Sequence, residues 1–313
     1  MSRDPLKFGG TAAAAIMCAE DGEDYYSSPW DVYARVKGIP TKPTPVFFET
    51  GLTLEPVLLD WWQRSYGDGY ELQRAPVISL DWQTAHLDGL AVRIDGDEAI
   101  VVDPKMSMQE HVWRVWDVEE GRFISIIQPG YVWQLTWYAR MAEEVIGVRV
   151  TRLDFPIWVC ARTAAGKSPY MIRSLPYDDF RREEAARQLA AVTAWRERFV
   201  LGGEVPEFDG GEAAAGWLAK EMGPAPKKRG LAYAAPALVD LVHRWRYLTI
   251  HSATMAGQAK AIGQTILHHL GPNRLYVGGR TKGPFVQGQV STGGGAYLKG
   301  YNFESSTDDP LDI

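Results

Sequence analysis

The chain has 313 residues, which at about 150 residues per domain corresponds to one large domain or two modest ones. Hydrophobic residues make up 46% and the formal net charge is −6, so the composition is that of a globular protein and excludes wholesale disorder. Two cysteines exclude a disulfide framework, a four-cysteine iron–sulfur cluster and an all-thiolate zinc site. Since no segment resembles a membrane span or a secretory signal, we expect a cytoplasmic protein without membrane segments.

The first 70 residues are predicted to be helical. An alanine-rich stretch predicts a helix over 11–18, and Ser28-Pro29 predicts the start of a second helix that runs to about residue 36. Apolar residues at helical spacing predict a third helix over 47–64. Pro56 lies inside this third stretch and implies either a kink or a helix that begins near Leu54.

The hydrophobic pattern then changes to that of strands. Short β-rich runs predict strands over 72–80, 84–94 and 99–103, and Asp95-Gly96 between the last two is a hairpin signal. A helical stretch follows over 109–117.

A further helix is predicted over 129–146, followed by a second pair of strands. Residues 148–161 and 170–175 are predicted to pair through a turn at 164–167, and a helix over 178–199 follows. Strands alternating with helices indicate an α/β or α+β fold, in which helices cover one sheet. A long helical stretch over 236–270 and a glycine-rich tail complete the chain.

The candidate catalytic and metal-binding residues lie at the ends of two predicted strands. Asp88 follows one predicted strand, and fifteen residues later Asp103-Pro104-Lys105 closes another. Strand side chains alternate, so Asp103 and Lys105 point to the same face, and the hairpin would bring Asp88 to Asp103. Two carboxylates held close repel unless a cation lies between them, and hard oxygen ligands favour Mg²⁺ or Mn²⁺. A lysine beside such an ion can hold or deprotonate a water and stabilise charge on a phosphate.

Each of these signals also has an ordinary structural explanation. Asp88-Gly89 is a turn rather than a ligand by roughly 5 to 1, given what Asp does in turns. Asp103 and Lys105 could form a solvated pair of little energetic weight. Glu55 could simply favour a helix N-terminus, and Gln134 could be an ordinary amide on an aromatic-rich helix.

The order of the motifs resembles the phage lambda exonuclease-like (YqaJ-type viral recombinase) family of PD-(D/E)XK nucleases. The resemblance covers about the first 160 residues and rests on five segments, which are Gly9-Gly10-Thr11, Ser28-Pro29-Trp30, Gly51 to Glu55-Pro56, Asp88-Gly89 with Asp103-Pro104-Lys105, and Tyr131 to Gln134. It implies a restriction-endonuclease-like core with a mixed central sheet flanked by helices. The acid Asp103 and the spacer Pro104 depart from the more frequent Glu and apolar spacer. Because proline removes a ladder donor, this strand end must lie at an edge or past the last pairing.

The resemblance also implies roles for individual residues. Glu55, Asp88 and Asp103 would hold one or two Mg²⁺ (or Mn²⁺) ions, Lys105 would orient the attacking water, and Gln134 would position lysine, water or phosphate.

Three further residues are candidates for DNA contact. Thr11 at a helix start could hold a terminal 5′-phosphate or could only cap its helix. Tyr131 could pack or contact phosphate, and Trp113 could stack on unpaired bases, although tryptophans at helical spacing more often belong to the core.

The predicted function is a metal-dependent exonuclease that acts on linear double-stranded DNA ends in phage-type recombination. The family implies a homo-oligomer and a single-strand annealing protein as partner. An endonuclease with the same core and a catalytically silent DNA-binding or scaffold protein remain open as alternatives. We expect the nuclease core to span 1–205, a linker 206–230, and a helical appendage with a partly disordered glycine-rich tail 231–313.

Overall fold

The protein is described by a computed structural model, which divides the chain into two compact units. Unit 1 comprises Met1–Val32 and Lys42–Glu204, and unit 2 comprises Tyr33–Thr41 and Val205–Ile313. The structure describes residues 4–39, 46–108, 114–117, 122–164, 166–222, 241–242, 244–245, 258, 261–262, 264–266, 268, 286–290 and 296–300.

The described residues form helices and short strands in the following order. The helices are α1 Gly10–Asp21, α2 Pro29–Val36, α3 Val46–Tyr66, α4 Pro129–Met141, α5 Cys160–Ala164, α6 Asp179–Trp195 and α7 Glu212–Met222. The strands are β1 Tyr70–Arg74, β2 Val77–Leu80, β3 Gln83–His86, β4 Gly89–Arg93, β5 Glu98–Val102, β6 Lys105–Ser107, β7 Arg114–Asp117, β8 Arg122–Ser125, β9 Arg149–Val159, β10 Tyr170–Pro176, β11 Val286–Val290 and β12 Ala296–Gly300. π-Helical turns extend α4 over Ala142–Ile146 and α6 over Arg196–Leu201.

The predicted helix starts are confirmed by hydrogen bonds at their caps. The Asp31 amide donates to Ser28 Oγ at 3.4 Å and the Ser28 amide donates to Asp31 Oδ2 at 2.8 Å, a reciprocal cap for α2. Asp178 accepts a hydrogen bond from the Arg181 amide at the start of α6. Helix α3 begins at Val46 and runs through Pro56, so the later start near Leu54 is wrong.

A six-stranded mixed sheet organises unit 1, as the sequence predicts. Its order is β1-β4-β5-β9-β10, and β6 also pairs with β9. Strands β4 and β5 form the predicted antiparallel hairpin, β9 and β10 pair antiparallel, and β5 and β6 both run parallel to β9. Helix α3 contributes Leu59 and Trp62 to a core cluster with Ala91, Ile100 and Val102 of the central strands. Helix α4 packs against α1, α6 and β9.

Three predicted elements of unit 1 differ from the structure, and one of them is the strand predicted over 84–94, which is divided into β3 and β4 between His86 and Gly89. The predicted strand over 72–80 is divided into β1 and β2, because Ala75 has a φ of +48° and Pro76 follows it. The predicted helix over 109–117 is wrong for its described part, where Arg114–Asp117 is strand β7 paired with β8. Val115 and Trp116 are β-branched and aromatic residues that suit a strand. Residues 109–113 lie outside the described residues.

In unit 2, helix α7 lies within the segment predicted as a linker, and its Trp217 and Leu218 are buried. The described residues between 241 and 268 are helical, as predicted, and β11 and β12 form an antiparallel pair in the glycine-rich tail. The end of the predicted disordered tail, 301–313, lies outside the described residues, and the division at 205 and 230 stays a prediction. Across the described ranges, no helix combines the length and apolar character that crossing a bilayer requires.

Candidate active site

The hairpin brings Asp88 and Asp103 together. Gly89 pairs with Val102 as the last antiparallel pair of β4 and β5, so the next residues outward, Asp88 and Asp103, stand opposite each other. The Asp103 amide donates to the Asp154 carbonyl of β9 at 2.9 Å, which fixes its backbone beyond the end of β5. The strand register therefore brings these two acids together at one end of the sheet, as the sequence predicts.

Asp103 is buried without the hydrogen bonds that a buried carboxylate normally has. Its exposure is 1%, and neither of its oxygens accepts a hydrogen bond of regular geometry from any described group. The one described cation beside it is the Lys105 ammonium, which forms an ion pair with Oδ2. Burial, and then the neighbouring Asp103 carboxylate, raise the pKa of Asp88 well above its usual range. The space that the two acids share therefore disfavours charge on Asp88.

Lys105 occupies the first position of β6, and its side chain lies over α4. Its Nζ is 4.8 Å from the centroid of the Tyr131 ring, a cation–π contact. Burial lowers the pKa of Lys105, but Asp103 and Asp88 outweigh burial and hold the pKa above its ordinary value. Lys105 is therefore protonated at neutral pH and acts as a hydrogen-bond donor and positive charge. This state suits the orientation of a water, and both predicted roles of Lys105 stay predictions.

The departure at Pro104 is accommodated by the strand pairing. Val102 pairs with Asp154 and Lys105 with Ile157, so the register with β9 is the same before and after the Asp103-Pro104 break. The Asp103 amide points to β9, and backbone alternation therefore directs position 104 to the opposite side. On that side β4 pairing has already ended at Gly89, so proline removes no ladder hydrogen bond.

Glu55 lies on α3 and is coupled electrostatically to the same cluster. Burial and the Asp103 carboxylate raise its pKa, whereas the Lys105 ammonium lowers it. Within the described residues, however, no three His, Cys, Asp or Glu side chains are gathered closely enough to hold a metal ion. The structure therefore brings Asp88 and Asp103 together and leaves Glu55 as a nearby third acid.

Helix α4 presents Gln134 and a tyrosine that sequence reasoning missed. The Gln134 Nε2 donates to Tyr138 Oη at 3.2 Å, while its buried Oε1 accepts from no described group. Burial, followed by Asp103, raises the pKa of the Tyr138 phenol, so Tyr138 adjoins the acids and is uncharged. Its spacing of four residues after Gln134 and seven after Tyr131, on one helix face, was the available signal.

Close helix contacts at glycine hold these side chains in place. A Cβ at Gly10 of α1 would lie 2.5 Å from Tyr138 Cε1, and one at Gly130 of α4 would lie 2.0 Å from Tyr25 Cδ2. Thr11 follows Gly10 as the second residue of α1, whose N-cap is Gly9. Thr11 therefore does not cap this helix, and its predicted phosphate contact stays a prediction. Trp113 lies outside the described residues.

The donor set fits a divalent cation in its chemistry. The buried Asp103 carboxylate has the Lys105 ammonium as its one described cation and a second acid beside it, and an oxygen-seeking cation would offset the remaining cost of placing the two acids together. By contrast, Asp154 is fully buried but accepts hydrogen bonds from Trp62 and Arg152, so its oxygens are already in use. Asp88 and Asp103, with Glu55 nearby, are therefore the acids suited to an ion.

Several solved structures resemble this chain. An alkaline exonuclease from Laribacter hongkongensis, LHK-Exo, has a TM-score of 0.40 and 17% sequence identity, covering 62% of this chain and 89% of that one. A structure of LHK-Exo in complex with dAMP has a TM-score of 0.39 and 15% identity over 64% and 95% of the two chains. A phage-related exonuclease from Haemophilus somnus 129PT has a TM-score of 0.37 and 11% identity over 63% and 96%.

No protein-family model and no curated protein matches this chain. What this chain does is inferred from its own site residues.

Proposed function

We propose that this chain is a metal-dependent deoxyribonuclease that hydrolyses phosphodiester bonds. The observation that carries the proposal is the pair of the half-buried Asp88 and the buried Asp103, with the protonated Lys105 against it. Two acids placed together lower stability even with one ammonium beside them, and such a cost is typical of functional sites. The same pair beside an ammonium gives both an oxygen-rich cation site and a donor for phosphate or water.

Each side chain has a role that follows from its state. Asp88, Asp103 and Glu55 would hold Mg²⁺ or Mn²⁺, with Asp103 the best placed because its oxygens accept no regular hydrogen bonds from described groups. When bound, such an ion acts as a Lewis acid on the phosphodiester and on water. Lys105 donates hydrogen bonds and positive charge to the attacked phosphate or to the water. The Gln134 carbonyl is an acceptor that can align a water or the Lys105 ammonium.

We further propose that the substrate is a linear double-stranded DNA end. The order of the motifs around Thr11, Glu55, Asp88 and Asp103 supports exonuclease rather than endonuclease action, because it resembles the end-degrading branch of these nucleases. The same resemblance supports a homo-oligomer and a single-strand annealing protein that receives the product strand. Tyr131 and Thr11 are the proposed phosphate contacts.

Purified protein incubated with end-labelled linear duplex and with covalently closed circles tests these proposals. With Mg²⁺ or Mn²⁺ we expect loss of the linear duplex and survival of the circles, and with EDTA we expect both to survive. Lys105→Ala and Asp103→Asn should each lower the rate at least about 100-fold, since the first removes positive charge beside the reacting phosphate and the second removes a ligand of the ion. Lys167→Ala, in an exposed turn of unit 1, is the matched lysine control and should retain the wild-type rate.

The outcomes separate the alternatives. Rapid metal-dependent cutting of closed circles would favour an endonuclease with the same core. Cleavage that persists in EDTA, or in both site variants, would refute the metal-dependent site. Absence of cleavage on either DNA, with binding retained, would favour a silent DNA-binding protein.

A further inference from the structure

Helix α3 is joined to the central sheet by one buried directional bond. The Trp62 indole Nε1 donates to Asp154 Oδ2 of β9 at 2.8 Å, and both residues have an exposure of 0%. The surrounding contact of α3 with the sheet, through Leu59 and the strand residue Val102, is apolar. Apolar packing is non-directional, whereas a hydrogen bond of this length defines where its two atoms lie. Helix α3 also has polar contacts with β1, where Gln63 Nε2 donates to Tyr70 O at 3.1 Å and Asp60 forms an exposed ion pair with Arg74. Among the described contacts of α3 with the sheet, the Trp62–Asp154 bond is the fully buried one, and it fixes the position of α3 relative to β9.

Asp154 is itself held firmly. Arg152 Nε donates to Oδ1 at 2.8 Å and its Nη2 donates to Oδ2 at 2.8 Å, so both carboxylate oxygens are engaged before Trp62 is counted. The backbone carbonyl of Asp154 accepts from the Asp103 amide at 2.9 Å. One residue thus connects α3, through its side chain, to Asp103, through its backbone.

Glu55 depends on the position of the same helix. Trp62 lies seven residues after Glu55, which is about two helical turns and places both on one face of α3. Leu59 lies one turn after Glu55 on this face and packs in the same core cluster as Trp62. A shift of α3 along the sheet would therefore move Glu55 relative to Asp103.

We infer that Trp62 and Asp154 are positioning residues that set the distance between Glu55 and Asp103, and through it the affinity of the acid cluster for a divalent cation. The inference rests on the proposed function, since it assumes that these acids bind the ion. Neither residue is a ligand itself, because the oxygens of Asp154 are engaged and Trp62 offers only an N–H.

Mn²⁺ binding to the full chain, measured by electron paramagnetic resonance of the free ion, tests this without any catalytic assay. Trp62→Phe removes the N–H and keeps an aromatic core residue, and we expect it to weaken Mn²⁺ binding about tenfold, as losses of outer-shell partners do. If this variant does not fold, benzothienylalanine at position 62 keeps the indole shape and removes only the donor. Trp137→Phe is the matched control, since Trp137 is equally buried and donates to Thr84 O at 3.0 Å, away from α3.

A double-mutant cycle with Glu55→Gln distinguishes positioning from general destabilisation. If Trp62 acts through Glu55, the double variant binds Mn²⁺ as Glu55→Gln does, and if it acts by loosening the fold, the two losses multiply. Unchanged affinity in Trp62→Phe, an equal loss in Trp137→Phe, or multiplied losses would overturn the inference. Failure of the proposed function has a different signature, which is wild-type Mn²⁺ binding that is absent or insensitive to Asp88→Asn.

Discussion

Two buried aspartates, Asp103 and Asp154, show how environment separates a structural acid from a reactive one. Asp154 receives three donated hydrogen bonds and holds helix and strand together. Asp103, bonded to Asp154 through the backbone, receives none of regular geometry and faces Asp88 and Lys105. A burial pattern alone does not distinguish them, because the difference lies in donors contributed by distant Trp62 and by Arg152.

This contrast predicts opposite effects of the same substitution on stability. Asp88→Asn removes an acid from the repelling pair, so in EDTA it should raise the free energy of unfolding by about 0.5–2 kcal/mol. Asp154→Asn removes the ion-pair partner of the half-exposed Arg152 and weakens the buried acceptor of the Trp62 indole, and it should lower the free energy of unfolding by about 1–3 kcal/mol. Thermal and urea unfolding in EDTA measure both values. A loss of stability in Asp88→Asn as large as that in Asp154→Asn would mean that the pair carries no strain.

Only part of the candidate site could be predicted from local sequence patterns. Strand alternation and the Asp95-Gly96 hairpin were enough to bring Asp88, Asp103 and Lys105 together, because all three lie within one local motif. Glu55 came only from the family resemblance, since it lies on a separate helix and its approach depends on tertiary packing. Tyr138 was missed because its spacing after Tyr131 and Gln134, which places it on their helix face, is also the spacing of ordinary core residues on this tryptophan-rich helix.

Among the elements, the contact between α1 and α4 matters most for the site. Helix α4 carries Tyr131, Gln134 and Tyr138, and α1 approaches it closely at Gly10. This contact exists because residue 10 has no side chain, since a Cβ there would lie 2.5 Å from the Tyr138 ring and 3.0 Å from Gln134 Cγ. The position of Gln134 therefore depends on a glycine in a different helix.

Gly10→Ala should accordingly destabilise the fold and impair the site. We expect a loss of about 1–3 kcal/mol in the free energy of unfolding, as for overpacking of a core, together with a lower cleavage rate. Gly51→Ala is the opposite control, because Gly51 lies inside α3 with no described atom within 4 Å of its Cβ position. Alanine there should stabilise the helix by about 0.5–1 kcal/mol. Chemical unfolding measures the change in the free energy of unfolding for each variant. Equal changes in Gly10→Ala and Gly51→Ala would contradict the close contact at Gly10.

The prediction of elements succeeded where local signals were complete. The starts of α2 and α6 follow from capping residues, and the β4–β5 hairpin follows from its turn. The parallel pairing of β5 with β9 could not be read in advance, because these strands are separated by about 50 residues and pair only through long-range packing. The split between β1 and β2 at Ala75 illustrates the converse, where one residue with positive φ divides a segment that the sequence predicts as a single strand.

At the scale of the whole molecule, a short segment near the start of the chain belongs to unit 2, and the chain then continues in unit 1. Residues Tyr33–Thr41 belong to unit 2, although the residues on both sides belong to unit 1. Tyr33 is buried and its ring lies 6.2 Å from that of Trp217, and Ile39 is buried against the Cα side of Gly216. A boundary predicted near 205 from composition cannot reveal this, because the signal is a contact between segments far apart in sequence.

This interleaving predicts the behaviour of a shortened chain that ends at Glu204. It lacks Trp217 and Gly216, so Tyr33 and Ile39 lose their cover, and we expect a loss of at least about 2 kcal/mol together with increased binding of a hydrophobic dye. Differential scanning fluorimetry and dye fluorescence measure both effects. Ile39→Ser provides a matched test, because it should lower the unfolding temperature of the full chain, where Ile39 is buried, and reduce dye binding by the shortened chain, where Ile39 is exposed. If the shortened chain unfolds at the temperature of the full chain and binds no more dye, then segment 33–41 does not depend on residues after 204 for its burial.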